Sequence, residues 1–280
     1  MSPLPPWLKK PIPKHSNINR VRKLLGDKGV HTVCESAKCP NIGECFAKNT
    51  VTFMILGDTC TRHCAFCAVQ KGMPAPVDPD EPRKIAEAVK KLGLDYVVIT
   101  SVTRDDLPDG GASQFRNVGT ALVAVQDSRK LKIEFLIPDN LELDKLIAAQ
   151  PYVINHNLET VPRLYPKVRP QADYRRSLKI LRYIKDKSPS IYTKSGIMVG
   201  LGETNSEVEQ VLRDLKAVGC DIVTIGQYLR PSKQNLEVER FVEPEDFRAY
   251  ERLGLKLGFL SVVSGPFVRS SYRAGENIPK

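Results

Sequence analysis

The strongest constraint on this chain is an alternation of two periodicities that begins near residue 51 and ends near residue 263. Apolar runs rich in β-branched residues occupy Val51–Leu56, Tyr96–Thr100, Lys132–Ile137, Tyr152–Asn155, Ser195–Val199, Ile222–Ile225 and Phe259–Val263. Helical-period segments separate them at Pro82–Leu92, Gln114–Asp127, Leu141–Ala149, Asp173–Lys185, Ser206–Val218 and Pro244–Leu257. The first and last of these open on a proline, which a first helical turn tolerates. Strand then helix, repeated six times, implies parallel strands with helical crossovers, because a tight turn cannot join parallel neighbours. A doubly wound sheet and a barrel both satisfy that order. No P-loop and no G-x-G-x-x-G follows any strand, so nucleotide-binding doubly wound folds lose their usual support. After Val51, and without the tail, about 215 residues remain, which is short for eight units. The expected fold is α/β: a partial (β/α)6 TIM-type barrel with N-terminal and C-terminal extensions, its active site at the C-terminal strand ends.

Composition narrows the class further. At 280 residues, 41% hydrophobic and 26% charged, the chain suits one large globular core, and no apolar run approaches a membrane span. The net charge of +10 is concentrated at the ends. Residues 1–30 hold seven basic side chains and one acid, and residues 264–280 hold three and one. The expected divisions are an extension over 1–50, a barrel over 51–263 and a tail over 264–280. The opening stretch holds five prolines by Pro13, so it reads as an extended arm with no secretory apolar segment. A reducing, cytoplasmic setting is expected, and there clustered thiols bind metal more often than they form disulfides.

Six of the seven cysteines fall within 34 residues, in two triplets. Cys60-Thr-Arg-His-Cys64-Ala-Phe-Cys67 follows the first strand and belongs to the first loop at the barrel mouth. Three thiolates there can converge on one soft metal centre. A [4Fe–4S] cluster held by three cysteines leaves one iron open, whereas structural zinc wants a fourth ligand, for which His63 is the available but awkward neighbour. The second triplet, Cys34-Glu-Ser-Ala-Lys-Cys39-Pro-Asn-Ile-Gly-Glu-Cys45, is flanked by charges and does not resemble a core stripe, so a second metal centre is the economical reading. Cys220 stands alone and reads as a buried structural thiol.

C-x3-C-x2-C in the first loop of a β/α barrel resembles the radical S-adenosylmethionine (SAM) superfamily. C-x4-C-x5-C ahead of it resembles the lipoyl synthase family in particular. So do Phe53–Gly57, Thr100–Leu107, Asn155–Glu159, Lys194–Glu203 and the closing Arg269-Ser-Ser-Tyr272. The resemblance implies a sulfurtransferase that inserts two sulfur atoms, at C6 and C8, into an octanoyl chain amide-linked to a lysine of a carrier protein, consuming two SAM. It implies two [4Fe–4S] clusters. Cys60, Cys64 and Cys67 would hold the one that cleaves SAM to a 5′-deoxyadenosyl radical. Cys34, Cys39 and Cys45 would hold an auxiliary one that donates sulfur, with Ser271 as its fourth ligand and Ser270 as the alternative. Implied partners are octanoylated lipoyl domains of 2-oxoacid dehydrogenase E2 subunits and the glycine cleavage H protein, an electron donor such as ferredoxin or flavodoxin, and an Fe–S cluster carrier. Neither nucleic acid nor membrane is implied.

Weaker expectations concern SAM. Thr100 and Ser101 end the second strand at the mouth, and Asn155, His156 and Glu159 follow the fourth. Gly200-Leu-Gly202-Glu203 would let backbone approach the cofactor. Arg104, Asp105 and Asp106 read either as a buried charge network or as a solvated turn. The rival readings are another radical SAM sulfur inserter, such as a biotin synthase or a tRNA methylthiotransferase, and a two-cluster electron carrier. The carrier needs eight cysteine ligands and the chain has seven. The basic ends are expected to form a rim that docks an acidic carrier domain.

Overall fold

The computed structural model describes residues 4–10, 15–125 and 131–278. Seven parallel strands form the sheet: β1 (Thr52–Ile55), β2 (Tyr96–Ser101), β3 (Lys132–Leu136), β4 (Val153–Asn155), β5 (Tyr192–Val199), β6 (Ile222–Gln227) and β7 (Ser261–Gly265). They pair in sequence order, and His31–Thr32 adds a short antiparallel strand on the outer edge of β1. Crossovers are α1 (Glu81–Leu92), α2 (Ala112–Ala124), α3 (Leu143–Ala148), α4 (Tyr174–Lys187), α5 (Asn205–Ala217) and α6 (Pro244–Leu257). This is the expected series of six β/α units, with β7 closing the run. Among the described residues no pairing joins β7 back to the first edge.

Local chemistry accounts for the boundaries. Pro82 and Pro244 sit in the first turns of α1 and α6, and Gly93 and Gly258 end those helices in the left-handed region. Thr204 and Glu207 form a reciprocal capping box on α5. β5 begins three residues before the expected Ser195, because two polar residues are satisfied inside the sheet. Thr193 binds Asp221, and Lys194 binds Glu134. β7 begins two residues later than expected, since the Phe259 N–H still closes the end of α6 on Gly254. The expected continuation of α2 to Asp127 lies outside the described residues. In the N-terminal arm, Pro6–Leu8 forms a 3₁₀ turn that buries Leu8, where an extended course was expected.

The core lies between the sheet and its helices in two clusters. One gathers Phe53, Ile99, Phe115 and Phe135 with Val21, Leu25 and Phe46, so the N-terminal segment shares the core of the first strands. The other gathers Leu181, Val199, Val211, Ile225 and Phe247 around the later strands.

Inside the sheet a polar cross-tie joins four consecutive strands. The Glu134 carboxylate accepts from Tyr96 Oη at 2.6 Å, Asn155 Nδ2 at 2.9 Å and Lys194 Nζ at 3.0 Å. Glu134, Asn155 and Lys194 are buried. Breaking a buried pair leaves an uncompensated charge, whereas removing both charges does not. Lys194→Met should therefore destabilise by about 3–5 kcal/mol, and Glu134→Gln combined with Lys194→Met should recover most of that, as read from denaturant midpoints.

Candidate functional site

The loop carrying Cys60, Cys64 and Cys67 leaves β1 at Leu56, whose φ of 68° is unusual for a branched side chain. The turn is held from beneath by the buried Glu81 carboxylate, which accepts the Leu56 N–H at 3.0 Å and Gln114 Nε2 at 2.8 Å. Thr59–Cys60 then pairs with Gln70–Lys71 and closes the loop on itself. Three other loops pin it. Thr61 N–H donates to Thr103 O (3.1 Å) and Ala65 N–H to Val168 O (2.9 Å). Asn235 Nδ2 donates to the carbonyls of Ala65 (3.1 Å) and Cys67 (3.0 Å). Arg62 is fastened to Asp105 (2.8 Å) and to the buried Asp139. Arg104 is buried, gripping Asp106 at 2.8 Å and reaching the Leu56 carbonyl. The expectations for 104–106 are each met in part: Arg104 is buried and paired, while Asp105 and Asp106 sit exposed in a turn.

The second triplet is built from two short helices. Thr32 caps Val33–Ser36, which carries Cys34, and the chain turns through Lys38 at φ 51° so that Cys39 N–H meets Cys34 O at 3.0 Å. Ile42–Ala47 carries Cys45. Burial pushes Cys34 up to about 12 and Cys45 up to about 11, and the Cys39 thiol adds to both. Burial likewise pushes Cys67 up to about 12 and raises Cys64. Thiols in such surroundings stay protonated unless a cation replaces the proton.

The C-terminal tail reaches the same place. Ser270 Oγ accepts from Asn157 Nδ2 at 2.7 Å, whereas the Ser271 hydroxyl has no hydrogen-bond partner among the described residues. Glu44, next to Cys45, accepts from Arg273 (2.7 Å), Tyr272 (2.8 Å) and Lys10 (3.1 Å), and these hold its carboxyl down at about 2.

All three pieces meet at a cavity of about 520 Å³ beyond the C-terminal strand ends. Cys34, Cys39, Cys60, Cys64 and Cys67 line it, as do Ser270 and Ser271; Cys45 does not, though its thiol interacts with that of Cys39. Of the weaker expectations, Thr100, Ser101, His156 and Glu159 line the cavity. Asn155 does not: its amide is spent on Glu134 in the cross-tie below. Gly200–Glu203 also stays away, because the Glu203 carboxylate turns back onto the N–H groups of Gly200 (2.6 Å) and Leu201 (2.9 Å). His63 is exposed and outside the lining. Cys220 is buried, its thiol on Ile222 O at 3.3 Å.

The lining carries buried polar atoms with no partner: Ser101 Oγ, His156 Nε2, Asn157 Oδ1 and Arg169 Nε. His156 Nδ1 lies 2.9 Å from Ile137 O, which makes it the protonated nitrogen and leaves Nε2 an acceptor. Burial, with Arg169 nearby, pushes this imidazole down to about 4, so it is neutral at physiological pH. Glu159 is held at φ 66° by a bridge to β5, and burial raises its carboxyl. Arg169, Asn235 and Asp139 carried no sequence signal, and Arg62 and Asn157, though inside segments read as motifs, were not singled out as site residues.

Residues 54–215 match the radical SAM superfamily, and residues 1–39 match the N-terminal domain of lipoyl synthase of that family. Two solved structures share the fold. Streptococcus suis SuiB bound to S-adenosylmethionine has a TM-score of 0.54 at 12% identity over 76% of this chain and 49% of its own, so this chain spans about half its length. The [FeFe]-hydrogenase maturase HydG of Carboxydothermus hydrogenoformans has a TM-score of 0.59 at 13% identity, over 89% of this chain and 65% of its own. The chain belongs to the radical SAM superfamily. A lipoyl synthase of Caldanaerobacter subterraneus subsp. tengcongensis is 54% identical over 96% of this chain and 95% of its own. Within the superfamily, then, the chain belongs to the lipoyl synthase family, an enzyme family whose cofactors are SAM and [4Fe–4S] clusters.

The residues present fit those groups. A cubane distributes its irons and needs thiolates spread around it. Cys60, Cys64 and Cys67 line the cavity together, as do Cys34 and Cys39 of the other triplet. The unpartnered donors and acceptors in the same lining suit a ligand with amine, carboxylate and hydroxyl groups. No described helix is long and apolar enough to cross a membrane.

Asn235 is the tie that holds the first cysteine loop from the far side. Asn235→Ala leaves the carbonyls of Ala65 and Cys67 without this donor, at a cost of about 1–3 kcal/mol. The variant, reconstituted with iron and sulfide, should lose iron faster than wild type under a chelator, as followed by visible absorbance.

Proposed function

We propose that this chain is a lipoyl synthase that converts protein-bound octanoyl-lysine to lipoyl-lysine by inserting sulfur at C6 and C8. The carrying observation is that thiols from both triplets and the tail serines line one cavity. In this reading Cys60, Cys64 and Cys67 hold the SAM-cleaving cluster. Cys34, Cys39, Cys45 and Ser271 hold the auxiliary one. When bound, SAM and the two clusters supply reductive cleavage of a carbon–sulfur bond, hydrogen abstraction from the octanoyl chain and the inserted sulfur.

The chain's own part is placement and exclusion of water. Ser101, His156 and Glu159, with Thr100 at the strand end, would hold SAM, the unpartnered His156 Nε2 being free to accept a hydrogen bond. Thr100 is the weakest of these, since its hydroxyl already donates to Leu136 O at 2.9 Å. Met54, Leu136, Ile137 and Met198 give the octanoyl arm apolar surface beside both cysteine triplets. Of the two tail serines, Ser270 is already engaged by Asn157, which favours Ser271 as the oxygen ligand.

Octanoylated carrier domains, such as E2 lipoyl domains and the glycine cleavage H protein, are the substrates in this reading. A ferredoxin or flavodoxin supplies electrons, and an Fe–S carrier rebuilds the auxiliary centre. The reaction belongs to the cytoplasm.

The docking rim differs from the expected one. Lys10, Arg22, Lys28 and Arg273 are engaged with Glu44, Glu35 and Glu87 of the chain itself. At the cavity edge, Lys38 and Lys71 are exposed and have no ion-pair partner among the described residues. They are the cations free to meet an acidic carrier.

Anaerobically reconstituted protein with octanoylated carrier, SAM and reductant should yield carrier heavier by two sulfurs, in the dithiol form that the reductant maintains. A carrier mass that does not change defeats the proposal. Cys34→Ala should lose the mass gain while still forming 5′-deoxyadenosine, and sulfur insertion at the wild-type level would overturn the donor assignment. Raising salt from low to physiological strength should raise the KM for carrier in wild type. In Lys38→Glu combined with Lys71→Glu that sensitivity should largely vanish, the expected sign for a docking charge.

A further inference from the structure

We propose that Glu44 is the positioning residue that sets the Ser271 hydroxyl against Cys34, Cys39 and Cys45, through a clasp that grips the tail on both sides of the serine. The inference rests on the assignment of Ser271 as the oxygen ligand of the auxiliary cluster.

The clasp is built on Asn41 and Glu44, three residues apart at the start of Ile42–Ala47 and so on one face of it. Asn41 is buried, and its Nδ2 donates to the Phe267 carbonyl at 2.7 Å, four residues before Ser271. Glu44 takes Tyr272 Oη at 2.8 Å and Arg273 Nη2 at 2.7 Å, immediately after Ser271. Lys10 locks the two grips together. Its ammonium donates to Asn41 Oδ1 (2.7 Å) and Glu44 Oε2 (3.1 Å) and lies 4.3 Å from the Phe267 ring centroid. Arg273 adopts φ 50°, a left-handed conformation an arginine does not favour, and its guanidinium also stacks 5.2 Å from the Tyr272 ring.

An isolated ion pair at this exposure would contribute little. Glu44 is different in that three donors from two distant segments share one carboxylate, so each orders the others. Its neighbour in the chain is Cys45, and it does not line the cavity. It cannot touch SAM or the octanoyl chain, and its effect must pass through the tail. The same short helix thus carries one thiol of the triplet and the grip on the serine that completes it.

The test compares full-length wild type with Glu44→Ala, Glu44→Asp, Ser271→Ala and the Glu44→Ala/Ser271→Ala double variant. Each is reconstituted anaerobically with iron and sulfide. The readouts are the lifetimes of the two clusters under a chelator, distinguished by Mössbauer spectroscopy, and the melting temperature. Glu44→Ala should shorten the lifetime of the auxiliary cluster about tenfold and leave that of the SAM-cleaving cluster unchanged, with Glu44→Asp intermediate. The double variant should decay no faster than Ser271→Ala alone, because Glu44 acts through that hydroxyl.

A wild-type lifetime in Glu44→Ala overturns the proposal. So does parallel loss of both clusters with a lowered melting temperature, which marks a merely structural role, or additive loss in the double variant. If Ser271→Ala itself keeps the wild-type lifetime, the ligand assignment has failed and the clasp falls with it. If Ser271→Ala shortens it and Glu44→Ala does not, the assignment stands and only the clasp is wrong.

Discussion

Gly226 and Gly196 are the positions on which the site depends, because β6 and β5 present no side chain where the C-terminal tail must pass. A Cβ on Gly226 would strike the Val268 carbonyl, and one on Gly196 would lie 3.2 Å from Ser270 Oγ and 2.6 Å from Thr224 Oγ1. The tail therefore packs against the sheet at backbone distance, and further on Gly275 rests against the Tyr96 ring at the start of β2. A barrel of seven strands leaves space that a complete one would fill with side chains. Here the chain's own ends occupy part of that space, and the cavity between them holds the chemistry. A methyl group on Gly226 would move Ser271, which is how a residue with no functional group of its own governs the site.

Electrostatics bears on what the triplets would do if they hold clusters, as proposed. Cys34, Cys45 and Cys67 are buried deeply enough that their thiols sit near 11 or 12, far above neutrality. Burial makes the charged form unfavourable, and a metal centre offsets that penalty with its own charge. The arginines nearby are mostly committed elsewhere: Arg62 to Asp105 and Asp139, Arg104 to Asp106. These pairs keep the loops rigid, while Arg169 beside Cys64 and Arg269 beside Cys39 donate to backbone carbonyls. Binding a metal centre at these thiols would therefore be linked to the folding of this end of the barrel.

Strand and helix order was legible because strands buried on both faces read as unbroken apolar runs, while crossovers keep a 3.6-residue period. Where the boundary of β5 departed from that reading, Thr193 and Lys194 were polar residues satisfied inside the sheet, which hydropathy cannot foresee. The cysteine triplets were legible from spacing alone, and the tail serine from its resemblance to a known motif. Depth was not legible. Asn155 and His156 are adjacent in sequence, yet one is spent on Glu134 below and the other faces the cavity with an unpartnered nitrogen. Asn41, Glu44 and Lys10 carried no signal either, since their partners lie more than two hundred residues away or in a proline-rich arm.

Locating the charge also required the fold. The excess of Lys and Arg at the termini suggested a basic rim, but Lys10, Arg22, Lys28 and Arg273 are engaged by carboxylates of the same chain. A cation already paired contributes little to steering a partner, because its field is cancelled a few ångströms away. The terminal charge instead holds the two ends of the chain to each other and to the barrel. What remains at the cavity edge is Lys38, in the turn between Cys34 and Cys39, and Lys71, in the strand pair that closes the other cysteine loop. Each of these cations stands within or beside one of the two cysteine segments. A carrier drawn to both would therefore centre its modified lysine over the cavity that the two segments share.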